Sequence, residues 1–162
     1  MWKKINYEAE ILFEILKKNK LNITTVESCT GGMVSSAIVS INGSSEIFKN
    51  SLITYSNESK SEQLKIPLEI ITKNGAVSKV VANLMAKKVL KVMNADVSIS
   101  VTGIAGPTGG TILKPIGTVW IGVGLKSKVI TKLFLFKGNR LEVRQQSTFE
   151  ALKLANFTLK NL

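Results

Sequence analysis

The 162-residue chain contains no histidine, a single aspartate (Asp96) and a single cysteine (Cys29). Without an imidazole it can build neither a serine-histidine-carboxylate triad, nor a cysteine-histidine pair, nor a histidine-ligated zinc. A Cys₄ zinc site and a clustered-carboxylate metal site also need ligands that this sequence lacks, so no metal or other cofactor is expected. A hydrolase made from this chain must therefore move its proton through lysine or tyrosine. One cysteine cannot form an internal disulfide, which agrees with a reducing compartment. No apolar stretch reaches the ~18 residues needed to span a bilayer, and Met1-Trp2-Lys3-Lys4 leads into an acid-containing amphipathic run rather than a signal-peptide core. The expectation is a soluble, cytoplasmic protein with no membrane partner.

Arginine is scarce too. Of 22 basic residues set against 11 acidic ones, giving a net charge of +11, only Arg140 and Arg144 are arginines. The lysines are dispersed over outer helix faces (Lys17, Lys18, Lys87, Lys88, Lys91), without interleaved aromatics, and no nucleic-acid motif accompanies them, so a nucleic-acid partner is not expected. Two arginines four residues apart face one side of a helix. In a lysine-rich chain they suggest a forked contact, to a phosphate or carboxylate, that an ammonium cannot make.

What the chain does have is three glycine-rich turns between apolar runs: Ser28-Cys29-Thr30-Gly31-Gly32, Gly103-Ile104-Ala105-Gly106-Pro107 and Gly138-Asn139-Arg140. Helical spacing covers residues 7–19, and a β-rich run follows at 23–27. A small-residue helix is expected near 32–41, a strand at 52–56, and a short helix at 58–65 with Asn57 as N-cap. Residues 67–72 add a turn. A long helix at 79–93 should turn Val81, Leu84, Met85, Val89 and Val92 inward. Strands follow at 96–102, 117–125 and 129–136, the last two joined at Lys126-Ser127-Lys128, and a final helix runs over 140–159. The four glycines and two prolines of 103–115 exclude regular structure there. This pattern predicts one domain over 1–162, a three-layer α/β/α fold with a mixed, mostly parallel sheet.

Three constellations carry chemistry. Ser28 leaves a strand for a helix start, where backbone N–H groups and the dipole favour negative charge; it reads as a nucleophile or as a plain N-cap, with Cys29 as a rival nucleophile or a small buried residue. In Tyr55-Ser56-Asn57-Glu58-Ser59-Lys60, the lysine lies in a first helical turn. The dipole and partial burial there would lower its pKa toward that of a general base, the alternative being a surface lysine. The loop from Thr102 to Gly110 leaves a strand end where ligands gather in open α/β sheets; it matches neither a Walker loop nor the dinucleotide fingerprint, and a plain connection is the alternative.

Taken together, Ser28-Cys29-Thr30-Gly31-Gly32, Tyr55-Ser56-Asn57 with Lys60, Gly75-Ala76-Val77-Ser78, Thr102-Gly103-Ile104-Ala105-Gly106-Pro107 with Gly109-Gly110, Lys114-Pro115-x-Gly117 and Gly138-x-Arg140-x-x-x-Arg144 resemble, in order and spacing, the CinA C-terminal domain family, the nicotinamide-nucleotide amidase domain. The resemblance covers about residues 8–160. It implies hydrolysis of the carboxamide of nicotinamide mononucleotide to the nicotinate nucleotide and ammonia, without a metal or other cofactor, in a stand-alone amidase form. By the same resemblance Ser28 is the nucleophile, Lys60 its base and Tyr55 a helper that orients or relays the proton. Thr30, Gly31 and Gly32, with Thr102, Gly103, Ala105 and Gly106, would supply the oxyanion hole and line the substrate site, and Arg140 and Arg144 would suit the phosphate. Which loop takes the phosphate and which the amide is open, as is the oligomeric state, a homo-oligomer included. The competing reading is a non-catalytic nucleotide- or protein-binding domain linked to competence or DNA damage, which would need the glycine loops and arginines but not Ser28, Lys60 and Tyr55.

Overall fold

A computed structural model describes residues 1–160, so the last two residues of the expected domain lie outside the described ones. The β-branched, apolar runs form one five-stranded sheet: β1 (Ile23–Glu27), β2 (Phe48–Ile53), β3 (Val97–Gly103), β4 (Thr118–Leu125) and β5 (Val129–Leu135), in the order β2-β1-β3-β4-β5. β1 pairs in parallel with both β2 and β3, while β3–β4 and β4–β5 are antiparallel. Only β4 is reversed, which is the mixed, mostly parallel sheet the sequence predicts.

Helices cover both faces. On one side α1 (Trp2–Asn19), α2 (Met33–Val39) and α6 (Arg140–Lys160) pack on a core that includes Ile23, Val97, Ile99, Val101, Val119 and Ile121. On the other, α5 (Lys79–Val92) lies across the sheet, with α3 (Asn57–Leu64) and α4 (Leu68–Asn74) beside it, around Val26, Leu64, Ile66, Ile71, Val81, Met85 and Val89. The two faces of β3 differ in chemistry. Val97, Ile99 and Val101 enter the first core, whereas Ser98 Oγ and Ser100 Oγ donate to the α5 carbonyls of Ala86 and Ala82, each at 2.8 Å. β4 offers Gly122 and Gly124 to the same helix. A Cβ at Gly122 would lie 2.5 Å from Ser100 Oγ and 3.1 Å from Ala82 O, so glycine is what permits α5 to approach this closely.

Several boundaries shift from the sequence reading. α1 begins at Trp2 rather than residue 7, because Ile5 and Ala9 extend its buried stripe against α6. The second strand occupies Phe48–Ile53 instead of 52–56; pairing with β1 ends at Ile53, and Thr54–Ser56 turn into α3. The α3 N-cap is Ser56 rather than Asn57: Ser56 Oγ accepts from Ser59 N at 3.0 Å and Ser59 Oγ accepts from Ser56 N at 3.2 Å, a reciprocal capping box. The further turn expected at 67–72 is helix α4, with Pro67 at its N-cap. Val92 is exposed at the end of α5, beyond the reach of the sheet. Among the described residues no helix is long and apolar enough to cross a membrane.

Candidate active site

Strand order reverses direction between β1 and β3, since β1 has β2 on one side and β3 on the other. The carboxyl ends of these two strands open a crevice, the usual ligand position in such sheets. Ser28 follows β1 directly, and its N–H donates to Val101 O at 2.9 Å, which ties the first glycine turn to the strand that leads into the second. Gly31 (φ 58°) and Gly32 (φ 95°) then carry the chain through left-handed backbone into α2.

Lys60 enters the same crevice from α3. It is 1 % exposed, and its Nζ lies 3.3 Å from Ser28 Oγ. The same nitrogen donates to the carbonyls of Thr54 at 2.8 Å and Ser56 at 3.2 Å, with Tyr55 O at 3.4 Å. Three carbonyls and the serine oxygen thus surround the nitrogen, enough acceptors for an ammonium; after loss of one proton, two N–H groups could stay on the shorter carbonyl contacts with the lone pair toward Ser28. Burial disfavours the ammonium and brings the Lys60 pKa down to about 8. Burial acts oppositely on Cys29, pushing its thiol up to about 12, so the neighbouring sulfur is held as a thiol.

Around this pair lies a cavity of about 310 Å³ lined by Ser28, Cys29, Tyr55, Lys60, Ala76, Val77, the 102–106 segment, Thr108, Gly109 and Arg140. Ser28, Lys60, Tyr55, Thr102, Gly103, Ala105, Gly106 and Arg140 are therefore brought together as the sequence leads one to expect. Gly103 has no room for a side chain, since a Cβ would sit 2.6 Å from Val119 Cγ2. Thr102 Oγ1 donates to Ala76 O at 2.9 Å and fixes the 75–78 segment against the second loop.

The remaining candidates stand elsewhere. Thr30, Gly31 and Gly32 do not line the cavity, and the N–H groups of Gly31 and Gly32 are engaged by Ser28 O and Glu27 Oε2. Those two amides are thus unavailable as oxyanion donors. Arg144 is also absent from the lining; its Nη2 donates to Thr30 O at 2.8 Å and so fastens the outside of the first turn. Arg140 does face the cavity, with Nη1 on Gly106 O and Nη2 on the Tyr55 hydroxyl, both at 2.7 Å. That contact changes the reading of Tyr55. Its hydroxyl engages Arg140 at the rim, and it is the main-chain carbonyl that meets the lysine.

Glu27 went unassigned in the sequence, although it is the one charged residue between Ile23 and Gly32. It is fully buried, and its carboxylate accepts from Gly32 N at 2.9 Å, Val34 N at 3.1 Å, Ser35 N at 2.9 Å and Ser35 Oγ at 2.7 Å. At the other arginine turn, Asn139 Oδ1 accepts from Leu141 N and Glu142 N while Glu142 Oε2 accepts from Asn139 N. This capping box starts α6 so that Arg140 is its first residue. A larger hollow of about 380 Å³ between β5 and α6 is mainly apolar, and its two lining lysines, Lys132 and Lys153, lie over the Phe134 and Phe149 rings.

The model of the CinA C-terminal domain matches residues 6–159. A CinA-like protein of Dictyoglomus thermophilum is 42% identical over 153 residues, covering 94% of this chain and 37% of its own length. A CinA-like protein of Endomicrobium trichonymphae is 46% identical over 146 residues, covering 90% and 34%. The chain thus spans about a third of the length of these curated relatives. Among solved structures, a competence-damaged protein (CinA) superfamily protein from Klebsiella pneumoniae superposes with a TM-score of 0.94 at 26% identity, covering 98% of this chain and 99% of that one. The competence/damage inducible protein CihA from Agrobacterium tumefaciens gives 0.93 at 32% identity, covering 97% and 96%.

Proposed function

This chain belongs to the CinA C-terminal domain family, and we propose that it is a serine-lysine amidohydrolase acting on the carboxamide of nicotinamide mononucleotide. The observation that carries the reading is the buried contact of Ser28 Oγ with Lys60 Nζ at 3.3 Å, beside a cavity with one arginine at its rim. The nicotinamide substrate rests on the family resemblance; the site supports it with a nucleophile, a base and a cation for a phosphate.

In the proposed reaction neutral Lys60 takes the Ser28 proton as Oγ attacks the amide carbon. The carbonyl π electrons move to oxygen, giving a tetrahedral oxyanion. With the Gly31 and Gly32 amides engaged and Ile104 N–H spent on Thr118 O, the donors proposed for that oxyanion are the amides of Thr30, Ala105 and Gly106. Lys60 then returns its proton to the leaving nitrogen, the C–N bond breaks, and ammonia departs from a seryl ester. Water adds to the ester with Lys60 again as base, and Ser28 recovers its proton as the carboxylic acid, then carboxylate, is released. Cys29, with its pKa held near 12, is a poor rival nucleophile.

The test is to incubate purified protein with nicotinamide mononucleotide and follow ammonia together with the nicotinate nucleotide. Both should appear in equal amounts with the wild type and neither with Ser28→Ala. Tight nucleotide binding without turnover would favour the binding-domain alternative, in keeping with the competence and damage names its relatives bear.

A further inference from the structure

Five donor–acceptor contacts converge on one side chain beneath the nucleophile turn. Glu27 Oε2 takes Gly32 N and Val34 N; Oε1 takes Ser35 N and Ser35 Oγ, with Thr25 Oγ1 at the longer distance of 3.4 Å. Because the Ser35 hydroxyl proton points at Glu27, the single Thr25 proton serves the 2.7 Å contact with Ser35 Oγ, and its 3.4 Å approach to Glu27 is the weak arm of that same donor, extending the network into the sheet. The carboxylate belongs to the residue just before Ser28 and holds the residues just after the turn. The loop from 28 to 31 is thereby closed at its base by a group that is 0% exposed.

We infer that Glu27 is the positioning residue that holds Ser28 against Lys60, a role that rests on the serine-lysine reading above. Backbone with two consecutive left-handed glycines has no preference of its own for one path, and the Ser28 N–H bond to Val101 O fixes only the turn's first residue. Glu27 fixes its far end. It also fills the start of α2 with negative charge, so neither phosphate nor oxyanion is drawn there, and the anionic parts of the substrate are left to the Thr30, Ala105 and Gly106 amides and to Arg140.

Glu27→Gln is the direct test, because an amide has one oxygen and would set its own N–H₂ against the turn's donors. The probe is a fluorophosphonate, which reports Ser28 nucleophilicity without any assumption about the natural substrate; Ser28→Ala gives the background. Ser98→Ala, which removes an equally buried bonded hydroxyl at the far end of β3, is the stability control. We expect labelling of Glu27→Gln to fall about a hundredfold, as for a reacting atom displaced by about 1 Å, with KM little changed and a crystal structure showing the Ser28–Lys60 contact opened. Should Glu27→Gln fail to fold, Ser35→Ala decides: roughly fivefold slower labelling, at a melting temperature matched to Ser98→Ala, is expected from the loss of the hydroxyl that bonds Glu27 and Thr25. Wild-type labelling in Ser35→Ala, or an unmoved Ser28–Lys60 contact in Glu27→Gln, overturns the inference. A wild type that neither labels nor hydrolyses refutes the hydrolase reading instead, while the Glu27→Gln geometry still decides the positioning role.

Discussion

Arg140 and Tyr55, separated by 85 residues in the chain, meet at the mouth of the cavity, where the guanidinium donates to the phenol oxygen at 2.7 Å. The same arginine holds Gly106 O, so one planar group braces both walls. A lysine could keep one of these contacts and not both. Arg140→Lys should therefore raise KM for nicotinamide mononucleotide about tenfold while kcat stays within a few-fold, because ground state and transition state share the lost contact. The dephosphorylated riboside should be a poor substrate and indifferent to the change. Equal losses on both would remove Arg140 from phosphate binding.

Arg144 is expected to behave differently, since it touches the back of the nucleophile turn at Thr30 O rather than the cavity. Arg144→Lys should lower kcat by roughly tenfold for nucleotide and riboside alike, with KM nearly constant, as when a turn loses one charge-assisted hydrogen bond. A selective rise in KM for the nucleotide would return it to the phosphate site.

The two adjacent side chains Ser28 and Cys29 should separate cleanly. Ser28→Ala should cost roughly a thousandfold or more in kcat, and Cys29→Ala should keep turnover within a few-fold, because a thiol held up to about 12 is protonated at neutral pH. Rate measurements with both purified variants decide it, and the reverse order would make this a thiol enzyme.

Lys60 must be unprotonated to act. With its pKa down at about 8, kcat/KM should rise with pH through about 8 and then level off. Lys60→Arg, which stays protonated, should be as inactive as Lys60→Ala. The same shift has a thermodynamic sign. Between about 8 and the ordinary lysine value of 10.5 the unfolded chain binds more protons than the folded one, so stability relative to Lys60→Met should increase with pH across that window. Urea melts at several pH values test it, and a flat difference would mean an unshifted lysine.

Gly122→Ala probes the sheet rather than the site. Its Cβ would meet Ser100 Oγ at 2.5 Å and Ala82 O at 3.1 Å, a backbone oxygen that cannot step aside. Overpacking of this kind costs about 2 kcal/mol, read as a lower denaturation midpoint with an unchanged m-value.

The layers and the glycine turns were legible because each leaves a local mark, period in the strands and glycine at forced turns, whereas the pairing of Ser28 with Lys60 came with the family resemblance, since a lysine in a first helical turn reads equally well as a surface residue. What escaped the sequence depends on distance in the chain. Glu27 reads as an ordinary strand end until the donors of 32–35 fold beneath it. Arg140 and Arg144 look alike in sequence, yet a single turn of helix separates a residue at the cavity from one behind it. The partner of the Tyr55 hydroxyl escaped for the same reason, since nothing local tells that an arginine from the far end of the chain will meet it.

The serine ladder on β3 is also a ruler. Ser98 and Ser100 stand two strand residues apart, about 6.7 Å, and their acceptors Ala86 and Ala82 stand four helical residues apart, about 6.0 Å, in opposite chain directions. Two lattices of nearly equal pitch lock together, and a helix so engaged cannot slide by a fraction of a step. Thr102 continues the row on β3, but its acceptor Ala76 lies six residues before Ala82 and outside α5, so the ladder ends at the cavity wall. The seating of α5 on the sheet is therefore registered in the middle of the molecule, by commensurate spacings that no ligand touches.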